Sequence, residues 1–259
     1  MKTFGSFAFL LAVAAVAWAQ NPPGGHRGFD AASPRFLGAE AGMPHRVVKG
    51  APFSGDLVTE STQTLADGNR IRQTSIVHVV RDSEGRTRRE QSLAGLAALA
   101  AGGAAQQVIF LSDPVAGANY ALDPVRKTAN RSAWIAPPSD ARRERHAAGL
   151  RQRGNTETLG AAIIEGLLAQ GTRTTVTIAA GAIGNAAPIQ VVTERWYSAD
   201  LDMPVLVKRS DPRIGETVTR LVHVSRSEPA PALFQVPPDF KLIELPAARF
   251  RSPAEAAEE

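Results

Sequence analysis

The sequence predicts a mainly β protein: a curved antiparallel sheet, or incomplete β-barrel, with one or two short covering helices. Three observations predict it. Short runs rich in Val, Ile and Thr recur at near-regular spacing. Asp, Gly and Pro punctuate them with residues that favour turns. Nowhere do these runs alternate with helical ones in the βαβ rhythm of a doubly wound fold. An open sheet of about ten strands must curl or be covered, or its apolar face stays exposed.

Residues 1–19 have the layout of a secretory signal peptide: Lys2, the apolar stretch Phe4–Val16, then Ala17-Trp18-Ala19 with small residues before an expected cut after Ala19. No later stretch is long and apolar enough to span a bilayer, so no transmembrane segment is expected. Of the net charge of +4, Lys2 is the only charged residue in the first nineteen, which leaves +3 on the remainder. Acidic residues are interleaved among the many Arg, so the clustered basic face that nucleic acid requires is not foreseen. The chain has no Cys. An apolar core must hold it without disulfides, and Gln20 offers no thiol for lipid attachment. The expected location is the periplasm or the exterior.

Residues 20–49, with Pro22-Pro23-Gly24-Gly25 and no apolar period, read as a disordered leader. Strands are then expected at Ser54–Leu65, Ile71–Val80 and Arg86–Gln91, separated by Asp67-Gly68 and Asp82-Ser83-Glu84-Gly85. Leu93–Ala105, almost all Ala, Leu and Gly, is one candidate helix. Further strands follow at Gln107–Leu111, Asn119–Leu122 and Thr128–Trp134. The polar connector 137–154 carries five Arg, reads as a solvated linker, and holds a second candidate helix over Ala141–Gln152. It also marks a boundary between two halves of one domain spanning 50–246.

In the second half, Ile163–Leu168 is expected to lead through Gly171 into Thr172–Ile178, followed by Ile189–Tyr197, Val205–Arg209 and Glu216–Arg226. Leu233–Val236 and Phe240–Leu245 close the domain, and 247–259 is a disordered tail. Asp-Pro opens a turn three times, at Asp113, Asp123 and Asp211, and each reads as hairpin punctuation.

Chemistry is sparse. The histidines, at 26, 45, 78, 146 and 223, form no short metal-ligand spacing. His78 and His223 sit in expected strands and read as a buried, hydrogen-bonded pair before they read as a metal site. Neither a G-x-S-x-G elbow nor S-x-x-K occurs, and Gly181–Asn185 lacks the Lys and Ser/Thr of a phosphate loop. Glu60, Glu90, Glu165, Glu194 and Glu216 lie in or beside strands, and alternation turns most of them to solvent opposite Arg or Lys. No catalytic residue, cofactor or metal is assigned. The ligand-groove candidates are the aromatics Trp196, Tyr197, Tyr120 and Trp134.

The stretches Glu157-Thr158-Leu159-Gly160, Ile164-Glu165-Gly166, Glu194-Arg195-Trp196-Tyr197-Ser198, Asp211-Pro212-Arg213 and Phe234-Gln235-Val236-Pro237-Pro238 resemble a group of uncharacterised exported, mainly acidobacterial proteins. The likeness runs over roughly 52–245 and brings no known activity with it. More distantly, the order of elements resembles the periplasmic lipoprotein-carrier fold, with its hairpin meander, the short strand bearing Tyr120 and the closing F-x-V-P segment. That likeness implies a curved, incomplete barrel sheltering acyl chains.

Three functions stay open. The first is non-catalytic binding of a lipid or lipoprotein acyl chain in a concave sheet face. The second is a structural or protein-interaction module with a partner in the cell envelope. The third is a hydrolase built on two carboxylates, or on His78 with His223, converging in a cleft.

Overall fold

The computed structural model describes residues 46–92, 107–134 and 154–245. The signal segment, most of the leader, both candidate helices, nearly all of the connector and the tail lie outside these residues. Among the described residues are twelve strands: β1 Phe53–Thr64, β2 Arg70–Arg81, β3 Thr87–Ser92, β4 Gln107–Asp113, β5 Ala118–Asp123, β6 Thr128–Ala133, β7 Gly154–Ile164, β8 Leu167–Ile178, β9 Ile189–Ser198, β10 Met203–Asp211, β11 Gly215–Ser225 and β12 Lys241–Glu244. They form one curved open sheet in the order β12-β6-β5-β4-β3-β2-β1-β11-β10-β9-β8-β7. Every pair is antiparallel except β12 with β6.

The order shows two meanders, β1–β6 and β7–β11, joined where β1 pairs with β11 from Ser54↔Ser225 to Thr62↔Glu216. Aspartate makes the turns within them. Asp113 Oδ1 accepts from the N–H of Val115 and Ala116 at 2.9 and 2.8 Å, and Asp123 Oδ1 from Val125 and Arg126 at 2.9 Å each. Asp211 Oδ1 accepts from the Arg213 N–H at 3.1 Å. In each case the carboxylate supplies the acceptor that a turn's backbone lacks, and Pro presets φ after it.

The structure departs from expectation in four places, and the first is that β7 already begins at Gly154, where no strand was expected before Ile163. The expected strand Ile163–Leu168 contains a turn, because Glu165 and Gly166 stand at φ 49° and 79°. Two successive positive φ values are the type I′ geometry that matches sheet twist in a two-residue hairpin. The expected strand Leu233–Val236 is replaced by a 3-10 turn at Pro231–Phe234, since Pro229, Pro231, Pro237 and Pro238 offer no N–H to a ladder. The leader's last residues are also placed: Val48 is buried, and Gly50 N–H donates to Ser83 O at 2.9 Å.

Two apolar clusters sit on the sheet. Phe53, Leu57, Val79, Leu167, Ala169, Leu201, Met203, Val205 and Leu221 form the larger. Ile109, Leu111, Leu122 and Ala129 form the smaller, with Tyr120, Val236 and Phe240 packed on it. The chain between β11 and β12 covers this second cluster as a strap, running from the middle of the sheet to its edge. Arg88 Nη1 donates to Leu233 O at 3.0 Å and Glu228 accepts from the Ser83 N–H at 3.1 Å. The Arg86 guanidinium lies 5.2 Å from the ring centroid of buried Phe234, and Lys127 pairs with Asp239 at 3.0 Å. No described helix is long and apolar enough to cross a membrane.

Candidate functional site

The four aromatic candidates do not gather in one place. The Trp196 ring packs against the larger cluster and lies over Gly171, where a Cβ would stand 2.8 Å from Cζ3 and Cη2. Tyr197, next along β9, turns to the opposite face, and its hydroxyl donates to Asp202 Oδ1. Tyr120 packs on the smaller cluster and, with Glu244, holds the Arg131 guanidinium above its ordinary range. Trp134 follows β6, and its backbone N–H donates to Gly117 O at 3.0 Å.

Instead, the strand register assembles a polar face. Residues directly opposite in antiparallel strands share a face. One row across seven strands is therefore Thr158, Thr172, Arg195, Val207, Thr219, Thr59, Ser75, and the next is Thr156, Thr174, Thr193, Arg209, Thr217, Ser61, Gln73. Six strand spacings give each row a length of about 29 Å, and the rows lie about 7 Å apart. Hydroxyls meet within them: Thr59 Oγ1 is 3.0 Å from Thr219 Oγ1, and Thr156 Oγ1 is 3.1 Å from Thr174 Oγ1. Thr219 is buried, Thr158, Thr172 and Arg195 are exposed, and most of the rest are half-buried. Along β2, β1 and β11 the same face continues as Val77, Leu57 and Leu221, part of the larger cluster. The face thus passes from aliphatic to hydroxyl and guanidinium along the strands.

Sequence reading missed this face, although its signal was there. Thr at i and i+2 in Thr156/Thr158, Thr172/Thr174 and Thr217/Thr219 announces one face of a strand. Only register reveals that these pairs line up.

The opposite face of the second half is a ladder of alternating charge. Arg173 reaches Glu194 at 2.6 Å and Glu157 at 2.7 Å, and Arg220 stands 3.5 Å from Glu60. Glu90 pairs with Arg88 at 2.7 Å. These carboxylates meet Arg rather than one another, as alternation foretold, and Glu165 and Glu216 are exposed.

His78 and His223 do converge, but not as the buried pair expected. Asp56 stands between them. Its Oδ1 lies 2.8 Å from His78 Nδ1 and its Oδ2 lies 3.0 Å from His223 Nδ1. Both rings are open to solvent, with side-chain exposures of 46% and 81%. The register β1–β2 sets His78 opposite Asp56. A bulge in β1–β11 beside Asp56, with His223 at φ 53°, re-aims His223 toward it. The His223 and His78 hydrogen bonds hold the Asp56 carboxyl below its ordinary value. Among the described residues the trio lies on an open face, and no group of three ligating side chains is arranged to hold a metal.

No family model matches the sequence, and no curated protein matches it. Solved structures share only coarse similarity. A chain of the MucA/MucB complex of Pseudomonas aeruginosa is 14% identical, with a TM-score of 0.40 over 75% of this chain and 58% of that one. An uncharacterized conserved protein of Thermus thermophilus is 10% identical, with a TM-score of 0.41 over 75% and 91%. A LolA superfamily protein of Nitrosomonas europaea is 9% identical, with a TM-score of 0.30 over 76% and 93%. The chain therefore spans less than two thirds of the first of these.

Proposed function

We propose that this is an exported, non-catalytic binding protein that holds an amphipathic ligand, a lipid or acyl-bearing molecule with an anionic end, on the hydroxyl and arginine face. The two rows across seven strands carry the reading. Thr presents a methyl beside its hydroxyl, so a Thr array offers both apolar contact and hydrogen bonds to an extended molecule. Arg195 and Arg209, diagonal neighbours on β9 and β10, supply planar donors suited to phosphate or carboxylate. The aliphatic end of the face is already filled by its own side chains, with Leu57 2% and Leu221 0% exposed. An acyl chain would therefore lie along the half-buried Thr and Val positions rather than in the core.

Native mass spectrometry of the protein purified from its own envelope, followed by organic extraction, tests the reading. A stoichiometric amphiphile released on denaturation, and diminished in an Arg195→Gln/Arg209→Gln variant, is the expected result. A bare protein mass with no uptake of added phospholipid or fatty acid overturns it.

A second reading, as a protein-interaction module, draws on β7. Its outer edge carries no strand among the described residues, and the cross-strand pair Ile163 and Leu168 beside that edge is 67% and 56% exposed. Unpaired edges accept extended peptide. Ala161→Pro would abolish capture of an envelope partner by that edge, and unchanged capture would dismiss it.

A further inference from the structure

Residues 174–193 contain no charged side chain, in a chain of which 21% is charged. They form the hairpin that joins β8 to β9, whose last strand pair is Ile178↔Ile189. β7 reaches Val176 on one side of it and β10 reaches Val192 on the other, so among the described residues its end projects past its neighbours. The loop 179–188 is exposed except at half-buried Asn185. Asn185 builds this loop. Its Nδ2 donates to Ala179 O and Ala187 O at 2.8 Å each, and its Oδ1 accepts from the Ile183 N–H at 3.1 Å. The Gly181 N–H donates to Asn185 O at 2.7 Å, the Ala182 N–H to Ala179 O at 3.2 Å and the Gly184 N–H to Gly181 O at 3.3 Å. The N–H groups of residues 181–184 are thus all met inside the loop, while the Ile183 side chain stands 57% exposed.

The sheet order sets the β10–β11 and β1–β2 hairpins beside this one, and antiparallel pairing turns all three at the same end. Turn 212–214 presents Ile214 and turn 65–69 presents Leu65, with Ile71 just after it, and all are exposed. These three are neighbours. Ile71 lies opposite Gln63, and a Cβ on Gly215, next to Ile214, would stand 3.0 Å from Gln63 Cα. Arg70 and Arg72 are exposed beside them and make no ion pair among the described residues. Asp67 is the one acid within the three turns, and its Oδ1 accepts the Asn69 N–H at 2.9 Å. The opposite end of these strands has another character. Turns 82–86, 199–202 and 165–166 carry Asp82, Glu84, Asp200, Asp202 and Glu165, and their one large apolar side chain, Leu201, is buried.

A loop that stays in water can leave its amides to the solvent, whereas one that enters the acyl boundary must satisfy them itself. Aliphatic side chains on separate turns do not make the continuous apolar centre of a protein interface, but each can sink among lipids singly. Unpaired arginines beside them suit anionic headgroups. We propose that this end of the sheet docks on an anionic lipid surface, with the Ile183 loop inserted and Arg70 and Arg72 at the headgroups. The docking does not depend on an amphiphile held by the hydroxyl and arginine face, which is tested without vesicles.

Co-sedimentation with sucrose-loaded vesicles tests it, on protein beginning at Gln20. Vesicles of equal parts phosphatidylethanolamine and phosphatidylglycerol should bind the wild type saturably, and pure phosphatidylcholine vesicles should bind it less. Ile183→Glu should lower the partition coefficient about tenfold. Arg70→Gln with Arg72→Gln should lower it about twentyfold and remove the preference for anionic lipid. Val115→Glu is the control, because Val115 is 61% exposed on the β4–β5 turn at the opposite end, and it should bind as the wild type does. All these positions are exposed, so melting temperatures should stay level and binding alone should change. Absence of sedimentation with the anionic vesicles overturns the proposal. So does wild-type binding by Ile183→Glu or by the arginine variant, or an equal loss in Val115→Glu.

Discussion

Replacing Gly171 by Ala tests where Trp196 stands. The added Cβ would lie 2.8 Å from two atoms of the indole and 2.9 Å from Leu159 Cβ, well inside ordinary contact. It cannot be accommodated without moving a ring wedged against the larger cluster. Overpacking of this kind costs about 1–3 kcal/mol. The lost freedom of the unfolded chain returns about 0.4–1 kcal/mol, which leaves a net loss of about 1–2 kcal/mol. For a domain of this size that lowers the melting temperature by roughly 2–8 °C. Urea unfolding in a Trp134→Phe background, on protein beginning at Gln20, reads Trp196 emission alone. The emission should shift together with the stability. In a Trp196→Leu background the same substitution should cost less, because only the Leu159 contact remains to be relieved, giving a coupling energy of about 1 kcal/mol. A neutral Gly171→Ala with unchanged emission would refute the packing and return Trp196 to the mouth of a groove.

Phe234→Ala removes the strap's buried anchor, 4% exposed, and should cost about 3 kcal/mol while speeding tryptic cleavage after Arg226 and Lys241, the basic residues that bracket the strap. Equal cleavage rates would show that the strap is held by its ion pairs instead. The Asp211 carboxyl is held low chiefly by the Arg213 side chain. A depressed folded value means stability that is present above the unfolded value and lost as pH falls through the folded one. Urea midpoints should therefore drop below about pH 4, and Asp211→Asn should be less stable at neutral pH with a shallower acid limb. An unaltered limb would remove Asp211 from that account. Gly215 stands at φ 101°, and a Cβ there would run into the Thr62 carbonyl oxygen, so Gly215→Ala should cost more than about 2 kcal/mol in the same assay. A loss below the error of the measurement would show that the β10–β11 turn yields freely.

Strand positions were legible because period-2 runs and Asp/Gly/Pro turns are local signals. Asp113, Asp123 and Asp211 do at their turns what their residue types foretold. The Glu165-Gly166 turn escaped because Ile163, Ile164, Leu167 and Leu168 read as one apolar run across it, and only positive φ at both turn residues separates them. The β12 pairing escaped because no local pattern says that a four-residue strand will cross half the sheet to lie parallel to β6. The sites were less legible than the fold. Asp56 looks like any solvent-facing acid until register sets His78 opposite and a bulge brings His223 beside it. The hydroxyl rows likewise exist only once seven strands are in order.

The seam between the meanders also fixes when the protein can finish folding. Among the described strands β1 is made first, but its second neighbour, β11, is the last long one, and Thr59 waits for Thr219 across 160 residues. Closing so long a loop delays the pairing. While the chain emerges, β1 has β2 on one side and bare amide and carbonyl groups on the other. A chaperone that shields strand edges would therefore act on this chain from the completion of β1 onward, and release would coincide with the arrival of β11.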